Sequence, residues 1–129
     1  MLKETVAAMA SAPNYAVLTT QLEYGSMNSH MMWVGADAEH VLINTETHRR
    51  KFRLMPVGAK VTVLVFENTF RWAEVRGTVV DHVLGPEARA HIDALAQKYT
   101  GADYSNTVQS ERVIVKIRPD VQFVFPPAA

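Results

Sequence analysis

Residues 44–53 read Asn-Thr-Glu-Thr-His-Arg-Arg-Lys-Phe-Arg and place four cations, Arg49, Arg50, Lys51 and Arg53, within five positions. Such a cluster suits one kind of chemistry, the gripping of an oxyanion. If residues 47–55 form a helix, Arg53 lies at i,i+4 from Arg49 and i,i+3 from Arg50. Like charges at that spacing repel by ~0.2–0.5 kcal/mol per pair. Cations in a first helical turn also oppose the helix dipole, at ~0.3–1 kcal/mol each. An anion at the helix start reverses both terms, because backbone N–H groups and arginine forks then converge on its oxygens. Asn44, Thr45 and Thr47 add short polar donors at the same corner. A bland reading competes, a solvated basic face whose arginines pair with Glu46, Glu67 or Glu74. The sequence leaves both open.

Other reaction chemistry is scarce. The chain has no cysteine, hence no thiol nucleophile, disulfide or zinc-thiolate site. Neither a Gly-x-Gly-x-x-Gly nor a Gly-x-x-x-x-Gly-Lys loop occurs, and no Gly-x-Ser-x-Gly elbow. His30, His40, His48, His82 and His91 fall in different segments and never form His-Glu-x-x-His, so no metal site is expected. They read as turn or surface histidines, with His30 a candidate pocket residue. No catalytic side chain can be named.

The elements that must position the basic turn follow from periodicity. Residues 2–11 read as a short amphipathic helix ended by Pro13. Strands are expected at Tyr15–Thr20, Met27–Gly35, Val41–Asn44, Lys60–Glu67, Arg71–Val83 and Glu111–Arg118, with Val121–Phe125 extending the last beyond Pro119. Period-two alternation in KVTVLVFE and ERVIVKIR places Val61, Val63, Val65, Val113, Val115 and Ile117 in the core. Pro86 opens a helix to Tyr99 with an apolar stripe of Ala90, Ile92, Leu95 and Ala96. Six or seven strands with about three small helices predict a mainly β, antiparallel, closed or partly closed barrel, as one domain over residues 1–129.

Thirteen Lys and Arg balance thirteen Asp and Glu. That neutrality argues against a general nucleic-acid binder. No apolar run is long enough to span a membrane, and the N-terminus is a poor signal peptide, so a cytoplasmic protein is expected.

The segment VLINTETHRRKFR, the valine-rich strand after it and RWAEVRGTV resemble the pyridoxamine 5′-phosphate oxidase-like split-barrel superfamily. Within it they are most similar to a short bacterial branch that uses the deazaflavin coenzyme F420. The likeness runs from about Tyr15 to Val124 and includes IDALAQKYTG and SERVIVKIRPDV. It implies that Thr45, Arg50 and Lys51, with Asn44, Arg49 and Arg53 beside them, hold a coenzyme phosphate. It also implies that Met27–Trp33 faces the flavin-like ring, with Met31, Met32 and Trp33 nearest. Trp72 fits either core or active-site wall. The activity implied is hydride transfer from reduced F420 to a small organic acceptor, in a homodimer. An FMN enzyme, or a non-catalytic flavin, deazaflavin or tetrapyrrole (haem) binder, remains the alternative on the same fold. Two departures stand out. Leu54-Met55-Pro56-Val57-Gly58-Ala59 replaces the family's usual continuation after the basic cluster. The chain also stops at FVFPPAA, without the substrate segment of the true oxidases, so vitamin B6 synthesis is not expected.

Overall fold

The computed structural model describes residues 1–127. The strands are β1 (Tyr15–Gln21), β2 (Met27–Met32), β3 (Gly35–Ala36), β4 (Val41–Glu46), β5 (Lys60–Asn68), β6 (Arg71–Val83) and β7 (Arg112–Phe125). The helices are α1 (Glu4–Ser11), α2 (Arg50–Arg53) and α3 (Pro86–Thr100). All the strands join one antiparallel sheet in the order β2-β1-β5-β6-β7-β4-β3.

The two edge strands, β2 and β3, are consecutive in the chain and separated only by Trp33 and Val34. Opposite edges joined by two residues force the sheet to curl until they meet. No ladder links them, so the barrel is split at this seam. The expected single strand over 27–35 is therefore two, broken where the chain crosses between edges. Val34 is fully buried at the crossing, and its backbone is tied to α3: Tyr99 Oη accepts from Val34 N at 3.1 Å, and Lys98 Nζ donates to Val34 O.

Alternation fills the interior as expected. Val61, Val63, Val65, Val113, Val115 and Ile117 are all buried, with Leu18, Val41, Ile43 and Val75. On α3 the buried stripe is Ala88, Ile92, Leu95 and Ala96, at i, i+4, i+7 and i+8; Ala90 faces solvent instead. The last strand runs on through Pro119, where the β6–β7 register shifts and no proline N–H is needed. Gly77 lies opposite; a Cβ there would sit 2.5 Å from Arg118 O and from Ile117 Cγ2, so only glycine fits.

The helix expected over 47–55 shrinks to the single turn of α2. Backbone donors ahead of it are captured elsewhere: Thr47 N by Glu111 O at 3.0 Å, His48 N by Ser110 Oγ at 3.2 Å and Arg49 N by Glu46 O at 3.1 Å. Pro56 closes the other end. A turn this short has little dipole, so the argument from helix electrostatics gives way to one from side chains.

Candidate functional site

A cavity of about 280 Å³ opens where the seam, the basic turn and α3 meet. Met31, Met32 and Trp33 form its seam side, Asn44 comes from β4, and Arg49 and Lys51 come from the basic turn. Ile92 and Leu95 of α3, Tyr104 and Asn106 of the loop after it, and Arg112 at the start of β7 complete the wall.

The residues anticipated from sequence are thus divided by the geometry. Asn44, Arg49, Lys51, Met31, Met32 and Trp33 meet in one cavity. Arg50 turns outward, and its Nη2 donates to Glu23 Oε2 at 3.0 Å across the β1–β2 turn. Arg53 Nη1 donates to His48 O at 3.0 Å, bracing the turn. Thr45 alternates with Asn44 and faces the same side as buried Ile43; its Oγ1 is buried without a hydrogen-bond partner among the described residues. Trp72 stacks on Phe125 at 5.3 Å, away from the cavity.

Charge in the cavity is one-sided. Arg49, Lys51 and Arg112 bring three cations against one buried carboxylate, Glu46. Glu46 is already committed: Oε1 accepts from Gln109 N at 2.6 Å and Ser110 N at 2.9 Å. Oε2 lies 3.6 Å from both Arg49 Nη2 and Arg112 Nη1. Burial works to raise the Glu46 pKa, but those two N–H donors and the two guanidinium groups outweigh it and hold the carboxyl below its ordinary value. Lys51 moves down, through burial first and then the charges of Arg49 and Arg112. Among the described residues no carboxylate lies within ion-pair distance of Lys51.

An aromatic run braces the seam side. Trp33 stacks on Tyr99 and meets Tyr104 edge-on at 6.4 Å and 82°, and the Arg112 guanidinium carbon sits 5.0 Å from the Tyr104 ring centroid. Trp33 and Met32 are half-buried and Met31 is exposed, which leaves apolar surface at the cavity mouth.

Sequence reasoning missed Arg112, Tyr104 and His91. Arg112 occupies the outer face of β7, opposite Val113, and nothing local signals that α3 and its following loop cover that face. His91, read as a surface histidine, is half-buried against Asn44, with 3.0 Å between its Nδ1 and Asn44 Nδ2. His82 likewise contacts Met55 O through Nε2 at 2.7 Å. His30 is exposed and does not line this cavity. Among the described residues no three His, Asp or Glu side chains gather as a metal site requires.

Three larger grooves, of about 460, 480 and 350 Å³, lie elsewhere on the barrel. In the first, Lys60 faces Asp120 at 3.6 Å and Arg76 meets Glu74 at 2.8 Å, so its charges cancel locally. The second, between α1 and the end of β7, has no comparable cationic excess. Size favours these grooves; unspent charge favours the seam cavity. An oxyanion responds to charge.

No helix among the described residues is long and apolar enough to cross a membrane. No curated protein matches the chain. A solved F420 reductase superposes with a TM-score of 0.81 at 27% identity, covering 95% of this chain and 98% of that one. A conserved hypothetical protein from Mycobacterium tuberculosis aligns with a TM-score of 0.74 at 18% identity, over 97% of this chain and 84% of that one. An FAD and heme binding protein from Mycobacterium smegmatis shares the fold, with a TM-score of 0.64 at 16% identity over 97% and 73% of the two chains. The family model for pyridoxamine 5′-phosphate oxidase matches residues 2–123. With a split antiparallel barrel and a match over nearly its whole length, the chain belongs to the pyridoxamine 5′-phosphate oxidase family.

Proposed function

We propose that this protein is an oxidoreductase that binds reduced coenzyme F420 at the seam cavity and serves hydride transfer to a small organic acceptor. One observation carries the reading: three cations face a single, already committed carboxylate beside a half-buried indole and two methionines. A phosphate-bearing deazaflavin has both complements, an oxyanion for the cations and a flat ring for Trp33, Met31 and Met32. The likeness to an F420 reductase supports the choice of coenzyme.

The donor set fits such a group. Arg112 Nη1 is a buried charged donor without a hydrogen-bond partner among the described residues. Arg49 and Lys51 add further cationic arms at the rim, and Arg50 and Arg53 lie just outside them. When bound, F420 supplies the hydride; the chain binds and orients it and keeps water from its ring. Apolar surface at Met31, Met32 and Trp33 performs the last two tasks. Exposed Tyr15, Met27, Met31, Phe123 and Phe125 suit a homodimer.

Titrating purified protein with F420 and with FMN, followed by fluorescence, tests the reading. Tight binding of F420 is expected. Binding of FMN alone transfers the proposal to a flavin enzyme; binding of neither refutes it.

A further inference from the structure

The Arg112 side chain is clamped at Nε and lacks a hydrogen-bond partner at Nη1 among the described residues. Its Nε donates to Asn44 Oδ1 at 2.8 Å, which fixes the orientation of the Asn44 amide. With Oδ1 committed, Nδ2 points at Ala88 O and at His91 Nδ1, each 3.0 Å away. Both amide hydrogens are then spent, and His91 Nδ1 must offer a lone pair. The imidazole is therefore neutral, with its proton on Nε2. Burial first, then the charges of Lys98 and Arg112, holds its pKa down to about 4, which keeps that tautomer in place at neutral pH.

At the far end of the guanidinium, Glu46 Oε2 lies at ion-pair distance from Nη1 and the Tyr104 ring lies beside the guanidinium carbon. Arg112 is only 6% exposed, yet Nη1 has no hydrogen-bond partner among the described residues. Glu46 Oε2, at 3.6 Å, is beyond hydrogen-bond length and shared with Arg49. A buried charged donor in this state is costly unless something accepts from it. Arg49 and Lys51 hang from a surface turn, whereas Arg112 is set in a strand and held in one orientation.

We propose that Arg112 is the fixed anion-binding arm of the seam cavity, aimed by Asn44 and His91, and that it takes a phosphate or carboxylate group. The arm stands on its own geometry; only the choice of coenzyme or acceptor as the anion's carrier rests on the function proposed above. Asn44 and His91 are positioning residues: both amide hydrogens of Asn44 are spent, and His91 acts on Asn44 through its Nδ1 lone pair without lining the cavity.

The test has three arms. Inorganic phosphate, added at constant ionic strength, is expected to raise the melting temperature of the wild-type apoprotein and not that of Arg112→Met. The same variant is expected to bind F420 or FMN about ten-fold or more weakly, the size of a charge-assisted hydrogen bond. Its affinity for the phosphate-free deazaflavin chromophore or riboflavin should stay within about two-fold, since those ligands lack the oxyanion. Asn44→Ala should show the same selective loss; a merely structural role would weaken phosphorylated and phosphate-free ligands alike. A raised KM for acidic acceptors, with coenzyme affinity intact, supports the arm and assigns the anion to the acceptor. Wild-type protein that binds neither coenzyme yet gains stability from phosphate through Arg112 sinks the coenzyme reading and leaves the arm standing. An unchanged phosphate response, coenzyme affinity and acceptor KM in Arg112→Met overturns the proposal. Should that variant fail to fold, Arg112→Lys keeps the charge and loses the fork, and a phosphate response equal to wild type overturns it there.

Discussion

The indole of Trp33 lies almost flat on the phenol ring of Tyr99, with centroids 5.1 Å apart and 9° between the planes. The same tyrosine carries its hydroxyl under the next residue, accepting from Val34 N and donating to Asn14 O. One side chain of α3 therefore fixes both the ring at the cavity mouth and the backbone of the seam. Tyr99→Phe keeps the stack and removes the hydroxyl, leaving a buried N–H unpaired. A stability loss of about 1–3 kcal/mol is expected, read by denaturant unfolding.

At the rim, Lys51→Ala and Arg49→Ala are each expected to weaken coenzyme binding by about 1.5–3 kcal/mol. The Lys51 change should leave the apoprotein as stable as before or slightly more so, because it removes a repulsion from Arg49 and Arg112. Isothermal titration beside a melting curve checks both.

Arg50 sets the contrast. Its partner, Glu23, is more than half exposed, and so is Arg50 itself. Arg50→Ala should change stability by under about 1 kcal/mol, the range of a surface ion pair. Its effect on coenzyme affinity should be smaller than that of either rim neighbour, and equal losses at all three positions would show that Arg50 swings inward when ligand binds.

His91 predicts a pH response. Its folded pKa, about 4, lies below the ordinary 6.5, so the unfolded chain takes up the proton first. The neutral ring's stabilising effect is full above about pH 6.5 and is lost as pH falls towards 4. A loss on the order of 2–3 kcal/mol across that window is expected. His91→Gln should flatten this part of the stability profile relative to wild type, and superimposable profiles would count against a neutral buried imidazole.

Association is the remaining expectation. Phe123 and Phe125 are 46% and 40% exposed beside Val121 on β7, and Met27 and Met31 are exposed on edge strand β2. A two-fold dimer burying about 2,000 Å² or more in total is expected, and light scattering at micromolar concentration checks it.

The barrel was readable because its signal is local. Val61, Val63 and Val65 declare an inward face within seven residues, and Gly85-Pro86 opens α3 unaided. The break at Trp33–Val34 was not readable, since it follows from the meeting of two sheet edges rather than from any turn residue. The same limit applies to the cavity. Arg49 and Lys51 stand out in a run of charge, whereas Arg112 merely precedes the apolar run Val113–Val115. Its burial depends on α3 and the following loop folding across β7. Thr45 and Asn44 differ by one position and therefore face opposite sides, a distinction set by the strand's phase.

Because no ladder crosses the seam, the gap between β2 and β3 is governed by the bulk of side chains packed into it. Exchange of Met31, Met32 or Trp33 can therefore widen or narrow the mouth without unmaking any strand pair. The barrel separates its inheritance into two parts, a wall held by strand pairing and a slot whose width is set by side chains, with Trp33 held in place by Tyr99. On the proposed function, substitution at these three positions would change the thickness of acceptor the slot admits.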